Sequence, residues 1–192
     1  MSDDRLNQDP FVSNLRESYA AQDTILRERY ARSLPMQDAL DDRWERARKL
    51  GFGEGTSIYN SAVVFGNVKV GSRTWIGPYV LLDGTGGLSI GSTCSISSGV
   101  HIYTHDTVAW ALSGGRKAYR YEPVSIGDCC YIGSQVVITA GVRIGRECVV
   151  SANSLVKDDV ADRTIVGGAP ARRIGEVRFD GDEPTLVYDH RG

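Results

Sequence analysis

A period of six residues constrains this chain more than any other feature. Stepping by six from Ile58 meets Val64, Val70, Ile76 and Leu82. After a slip of two residues at the segment GTGG, the step resumes at Ile90, Ile96 and Ile102. A gap of 24 residues follows, and Ile126, Ile132, Ile138, Ile144, Val150 and Val156 then run without adjustment. All fourteen anchors are Ile, Leu or Val, types that fill only 43 of the 192 positions. Four residues after the anchor the side chain is small or β-branched at Ala62, Val68, Thr74, Val80, Cys94, Val100, Cys130, Val136, Val142, Cys148, Ser154 and Val160, with Gly86 and Asp106, at the two breaks in the period, the exceptions. A glycine often follows the anchor directly, as at Gly71, Gly77, Gly91, Gly127, Gly133 and Gly145.

Six matches neither the 3.6-residue turn of an amphipathic helix nor the two-residue alternation of a half-buried strand. It matches a solenoid in which each hexad is one short strand and one corner. Three hexads close one triangular coil. Anchors point inward and stack on those of the next coil, about 4.8 Å away, and the glycines are expected to relieve strain at tight turns. The fold class expected is therefore an all-β solenoid, a parallel β-helix with stacked coils and capped ends. Spacing alone leaves its handedness open, and leaves an all-β sandwich as an alternative.

The flanks differ. Residues 1–52 lack the period and are expected to form a helical cap. Asp9 and Pro10 suit an N-cap and first helical position, followed by a stripe of Phe11, Leu15, Tyr19, Leu26 and Tyr30. After Pro35 a second helix is expected, capped by Asp38, with a stripe of Ala39, Leu40, Trp44, Ala47 and Leu50, ending at Gly51. Residues 53–175 form the solenoid. The tail, 176–192, carries two alternating pieces around DGDEP that suit a β-hairpin or a mobile end.

A net charge of -2 with no block of like charge gives no surface for nucleic acid or an anionic membrane. No apolar run reaches the roughly 20 residues of a membrane span. The N-terminus lacks the pattern of a secretory signal, so a cytoplasmic protein is expected. Cys94, Cys130 and Cys148 fall in the small inward column and read as small apolar fillers. Cys129 lies off it. Without paired C-x-x-C spacing, neither disulfides nor a metal centre are expected.

The gap after Ile102 extrudes about three hexads of chain, residues 104–123, carrying Trp110, Arg116, Lys117, Tyr119, Tyr121 and Glu122. Long loops in compact repeats are usually functional, and Trp110, Tyr119 and Tyr121 suit a wall over a polar ligand such as a sugar. A contact between subunits is the alternative. His105 stands at the root. Three hexads beyond Leu82, once the slip at GTGG is allowed for, comes Ile102. These two anchors should therefore stack, bringing Asp83 near His105. A carboxylate beside an imidazole orients it or raises its basicity.

The segment IYTHDTVAWALSGG, followed by PVSIGDCCYIGSQVVITAGVRIG and closed by VVSANSLVKDDVADRTIVGGAPARRIG, resembles the hexapeptide-repeat acyltransferases over residues 51–175. It is most similar to sugar O-acetyltransferases associated with polysaccharide and lipopolysaccharide biosynthesis. The resemblance implies a left-handed coil, an exception to the usual right-handed crossover. It implies acetyl-CoA as co-substrate, His105 as catalytic base and Asp83 as acceptor-binding residue. It also implies Tyr131, Ser134 and Ala152 along the pantetheine groove, and Lys157 and Arg172, with Arg173 less so, near the CoA phosphates. Finally it implies a homotrimer holding acetyl-CoA between subunits. Two departures stand out: Asp83 occupies a position often filled by Asn, and the N-terminal motif of the maltose/galactoside subgroup is missing.

The chemistry implied is direct transfer. His105 takes the proton of an attacking hydroxyl and returns it to the departing thiolate, while a backbone N–H at a corner steadies the oxyanion. N-acetylation of an amino sugar on the same scaffold is the alternative. A γ-type zinc carbonic anhydrase would need three protein ligands, and only His101, His105 and His190 exist. A non-catalytic scaffold is a further alternative. His101 reads as structural or surface, and His190 as inert.

Overall fold

The structure, a computed structural model, describes residues 9–189. His190 lies outside the described residues. The chain divides into two compact units, with the boundary between Arg43 and Trp44.

In the first unit, a helix spans Pro10–Tyr30. The Asp9 carboxylate accepts from the Phe11 N–H at 2.8 Å, and Pro10 opens the first turn, as expected. The expected apolar stripe is only half realised: Leu15, Tyr19 and Leu26 are partly covered, whereas Phe11 and Tyr30 are exposed. The expected second helix is two short ones, Met36–Ala39 and Arg43–Lys49. Asp38 does not cap it. It lies inside the first turn, buried, because the chain enters the helix from Pro35. The Arg43–Lys49 helix runs into the second unit, and Gly51 does end it, at φ +74°. No helix among the described residues is long and apolar enough to cross a membrane.

The second unit is a three-sided parallel β-helix. The first face stacks Ile58, Ile76, Ile96, Ile132, Val150 and Val166 in register. The second stacks Val64, Leu82, Ile102, Ile138 and Val156. The third stacks Val70, Ile90, Ile126 and Ile144, ending in a bridge to Val160. Thirteen of the fourteen expected anchors are buried; Val64, in the first coil, is partly exposed. The columns continue two anchors further than the period indicated, Val160 over Ile144 and Val166 over Val150, because the last coil is shorter than three full hexads.

The glycines after the anchors serve a different end from the expected one. They are not in the left-handed region, whereas Arg73, Tyr79, Thr93, Cys129, Gln135, Glu147, Asn153 and Arg163, three residues after an anchor or at the matching corner of the last coil, are. What the glycines permit is close approach of coils. A Cβ on Gly133 would lie 2.6 Å from the Ala152 nitrogen, and one on Gly127 2.7 Å from that of Arg146.

The inward small column also carries hydrogen bonds. Thr56 and Thr74 hydroxyls donate to the carbonyls of Gly71 and Gly91. The thiols of Cys94, Cys130 and Cys148 do the same to Gly127, Gly145 and Ala161 at 3.0–3.2 Å. All four cysteines are free, and Cys129 is exposed. The tail is a hairpin, Arg172–Asp180 with Glu183–Tyr188. Its first strand pairs antiparallel with Thr164–Gly167 and closes the open edge of the first face.

Candidate active site

Both departures from the hexad period fall on one corner, between the second and third faces. In one coil the two extra residues after Leu82 bulge the strand Leu81–Ile90, and pairing with the coil before shifts between Gly66 and Val68. In the next coil the loop leaves after Tyr103 and returns at Val124. Leu82 stacks on Ile102 as the register required, so the bulge and the loop root are adjacent.

Asp83 is fully buried at this junction. One carboxylate oxygen accepts from the Thr85 N–H at 2.9 Å and the Thr85 hydroxyl at 2.6 Å. The other accepts from the Thr104 N–H at 2.9 Å and from His105 Nδ1 at 2.6 Å. Burial pushes the Asp83 carboxyl up, but the bonds from Thr85, Thr104 and His105 outweigh it and hold the group at about 2. An ionised carboxylate only accepts, so the shared proton sits on Nδ1. The Nε2 of neutral His105 then carries a lone pair. The Thr104 hydroxyl donates to the Asp83 carbonyl and accepts from the Gly86 N–H, tying the bulge to the loop root.

The loop is an ordered excursion. His105–Asp106 pairs antiparallel with Arg120–Tyr121, and a helical turn, Val108–Leu112, forms its tip. Arg120 links Asp106 and Glu122. The three expected aromatics form a ladder that ends on the imidazole. Trp110 meets Tyr119 edge-on at 5.6 Å between ring centres, Tyr119 meets Tyr121 at 6.4 Å, and Tyr121 stacks on His105 at 5.9 Å. His105 is partly exposed, with its side chain 27% accessible. His101 projects from the second face beside Tyr103, away from this cluster. Among the described residues no group of three or more His, Cys, Asp or Glu is placed to hold a metal ion.

The other expected site residues divide between edges. Lys157 follows Val156 on the same corner as Asp83, two coils beyond Tyr103, or about 10 Å along the axis. With Arg172 and Arg173 it lines a cleft of about 310 Å³ at the end of the solenoid. Arg172 is paired there with Asp158 at 3.2 Å, and Arg173 with Asp189 at 2.7 Å. Tyr131 projects from the first face, and Ser134 and Ala152 lie on the corner between the first and second faces. One chain does not bring these three to His105. Thr85 and Thr104, which complete the cluster, went unnoticed in the sequence. Their signal was the slip itself, stacked against the loop.

Asp83 carries a prediction. Its folded value lies below the ordinary 3.8, so its contribution to stability is complete above about pH 4 and is lost as pH falls toward 2. Urea midpoints of the wild type and Asp83→Asn should differ at pH 6 and converge near pH 2. Midpoints that stay parallel would rule out this role.

A family described as "Hexapeptide repeat of succinyl-transferase" matches residues 123–157. Serine acetyltransferase 4 of Arabidopsis thaliana is 35% identical over 127 residues, 66% of this chain and 34% of that protein. Galactoside O-acetyltransferase of Escherichia coli K12 is 38% identical over 69 residues, 36% of this chain and 34% of that protein. The chain thus spans about a third of the length of either. A solved hexapeptide-repeat acetyltransferase of Vibrio cholerae, complexed with acetyl-CoA, superimposes with a TM-score of 0.63 at 27% identity, covering 88% of this chain and 90% of that one. Anchor columns, coil registers and these likenesses agree: the chain carries hexapeptide repeats and folds as a left-handed β-helix like that of the hexapeptide-repeat acetyltransferases.

Proposed function

We propose that the chain transfers an acetyl group from acetyl-CoA to a sugar hydroxyl, on a polysaccharide or lipopolysaccharide precursor. The observation that carries this reading is the buried Asp83 holding His105 by Nδ1, with Nε2 turned to act beside an aromatic ladder. His105 Nε2 removes the acceptor proton as its oxygen attacks the thioester carbonyl. The tetrahedral adduct collapses, the C–S bond breaks, and the imidazolium returns the proton to the thiolate. Tyr121, Tyr119 and Trp110 offer flat faces for the apolar side of a sugar ring, and Asp83 fixes the imidazole rather than meeting the acceptor directly. Lys157 and Arg172 supply cations for the CoA phosphates, and Tyr131, Ser134 and Ala152 line the pantetheine arm.

A homotrimer would reconcile the two edges. The outward residues of the second face are Val63, Leu81, His101, Val137 and Leu155, an apolar column interrupted only by His101. Its borders are the His105 edge and the Ser134–Ala152 edge. Turning this face toward a threefold axis sets one edge of each copy against the other edge of its neighbour. Val137→Glu should therefore yield monomers by sedimentation and abolish transfer. An active Val137→Glu monomer would refute the arrangement.

The direct test is acetyl-CoA turnover against matched hydroxyl and amino sugars. Transfer to hydroxyl sugars supports the reading, and transfer to amino sugars alone would replace it with N-acetylation. Thr85 is a positioning residue in this scheme. Thr85→Val should lower kcat about 10-fold, the effect of one lost hydrogen bond to a charged group, while leaving the KM for acetyl-CoA unchanged. Thr85→Ser should restore kcat. If Ser fails to do so, the hydroxyl is not what matters.

A further inference from the structure

The third face differs in character from the other two. Its outward column is Lys69, Ser89, Ser125 and Arg143, stacked in register on successive coils. These four line a groove of about 230 Å³ that opens beside Gly87 and Pro123, at the root of the loop. No carboxylate lines it. The nearest acid in the stack, Asp159, is engaged with the Arg143 backbone N–H at 2.8 Å. Among the described residues neither the Lys69 nor the Arg143 side chain has an ion-pair or hydrogen-bond partner. Elsewhere in this unit Arg120, Arg146, Arg163, Arg172, Arg173 and Arg178 each hold a carboxylate.

Two uncompensated cations thus flank a floor of two hydroxyls, three strand spacings or about 14 Å apart at the backbone. That donor set, two positive charges and two O–H groups without an acceptor carboxylate, suits a phosphate or diphosphate. The groove also adjoins the reactive group. The Thr85 hydroxyl lies 2.9 Å from His105 Nδ1, and Gly87, two residues on, lines the groove. Two Cα steps bound that backbone separation at about 8 Å.

We propose that this groove binds the phosphate group of the acetyl acceptor, so that the acceptor is a phosphorylated or nucleotide-linked sugar. The proposal rests on the reading of His105 as the base. CoA carries the same chemistry, but the cations suited to it, Lys157 and Arg172, line a different cleft at the end of the solenoid.

The test titrates the full chain with inorganic pyrophosphate and with CoA, in the wild type and in the double variant Lys69→Met/Arg143→Met. Pyrophosphate affinity should fall at least about 10-fold in the variant, as expected for lost charged hydrogen bonds, with CoA affinity unchanged. Ser89→Asp, which removes no cation but adds a charge to the floor, should act alike. Pyrophosphate binding that is absent, or the same in all three proteins, overturns the proposal. A parallel loss of CoA affinity overturns it too, by assigning the groove to the co-substrate. Acetyl-CoA turnover unaffected by His105→Ala would defeat the catalytic reading while leaving the pyrophosphate result standing, so the two failures are separable.

Discussion

His105→Ala is expected to lower turnover by roughly 10²–10⁴-fold, the usual contribution of a positioned general base, with the coil structure intact. Partial exposure of the side chain makes the fold insensitive to its loss. The imidazole fills no core position, and its one strong partner, Asp83, keeps the bonds from Thr85 and Thr104 when it is gone. Affinity for CoA should change little, because Lys157, proposed above to meet its phosphates, sits about two coils away. Steady-state kinetics with circular dichroism on the same samples checks both halves. Full turnover in the variant would end the assignment of His105, and a collapsed spectrum would show that the imidazole holds the corner together.

Gly133→Ala is expected to destabilise the protein by at least about 2 kcal/mol, within the range for overpacking a tight interior. The added Cβ would lie 2.6 Å from the Ala152 nitrogen and 2.8 Å from the Val150 carbonyl oxygen. Neither neighbour can retreat. The Gly133 N–H donates to that same carbonyl at 2.8 Å, and the Asn153 N–H donates back to Ser134 at 2.9 Å. Coils held by bonds on both sides keep their spacing. Gly181→Ala is the control. It too is a glycine-to-alanine change, at φ +57° but with nothing within 4 Å, and should cost only the roughly 1–2 kcal/mol of a left-handed residue. Chemical denaturation of both variants decides it. Equal losses would mean that contact between coils is not what the anchor-following glycines relieve.

The architecture was legible because burial in a β-helix is one-dimensional. A residue facing inward in one coil faces inward six residues on, so Ile126 to Val156 declared themselves without any tertiary information. Leu88 and Val124 are equally buried, but they sit where the chain leaves the period, at the bulge and the loop return. Val166 was hidden by a shortened coil. Asp83 and His105 were found as a pair because stacking converts sequence separation into distance. Thr85 was not, since a two-residue slip looks like noise until it is seen against the neighbouring coil. The division of Tyr131, Ser134 and Ala152 from His105 follows from the faces and corners they occupy, which a period of six does not label as near to or far from the loop. Asp38 misled because a capping residue and a first-turn residue share the same chemistry, and Pro35 set the entry one turn earlier.

The excursion from Tyr103 to Val124 begins and ends at one corner and lengthens its coil by the equivalent of three hexads. Even so, Ile96 still meets Ile132 and Ile102 still meets Ile138 in unbroken register. The scaffold therefore feels nothing of what the excursion contains. Its length and side chains are free to vary while the imidazole at its root stays anchored by the neighbouring turn. The aromatic ladder and the coil register thus lie in separable stretches of the polypeptide, and exchanging residues 107–119 for another insert should remove Trp110 and Tyr119 from the ladder while leaving the stability of the coil unchanged.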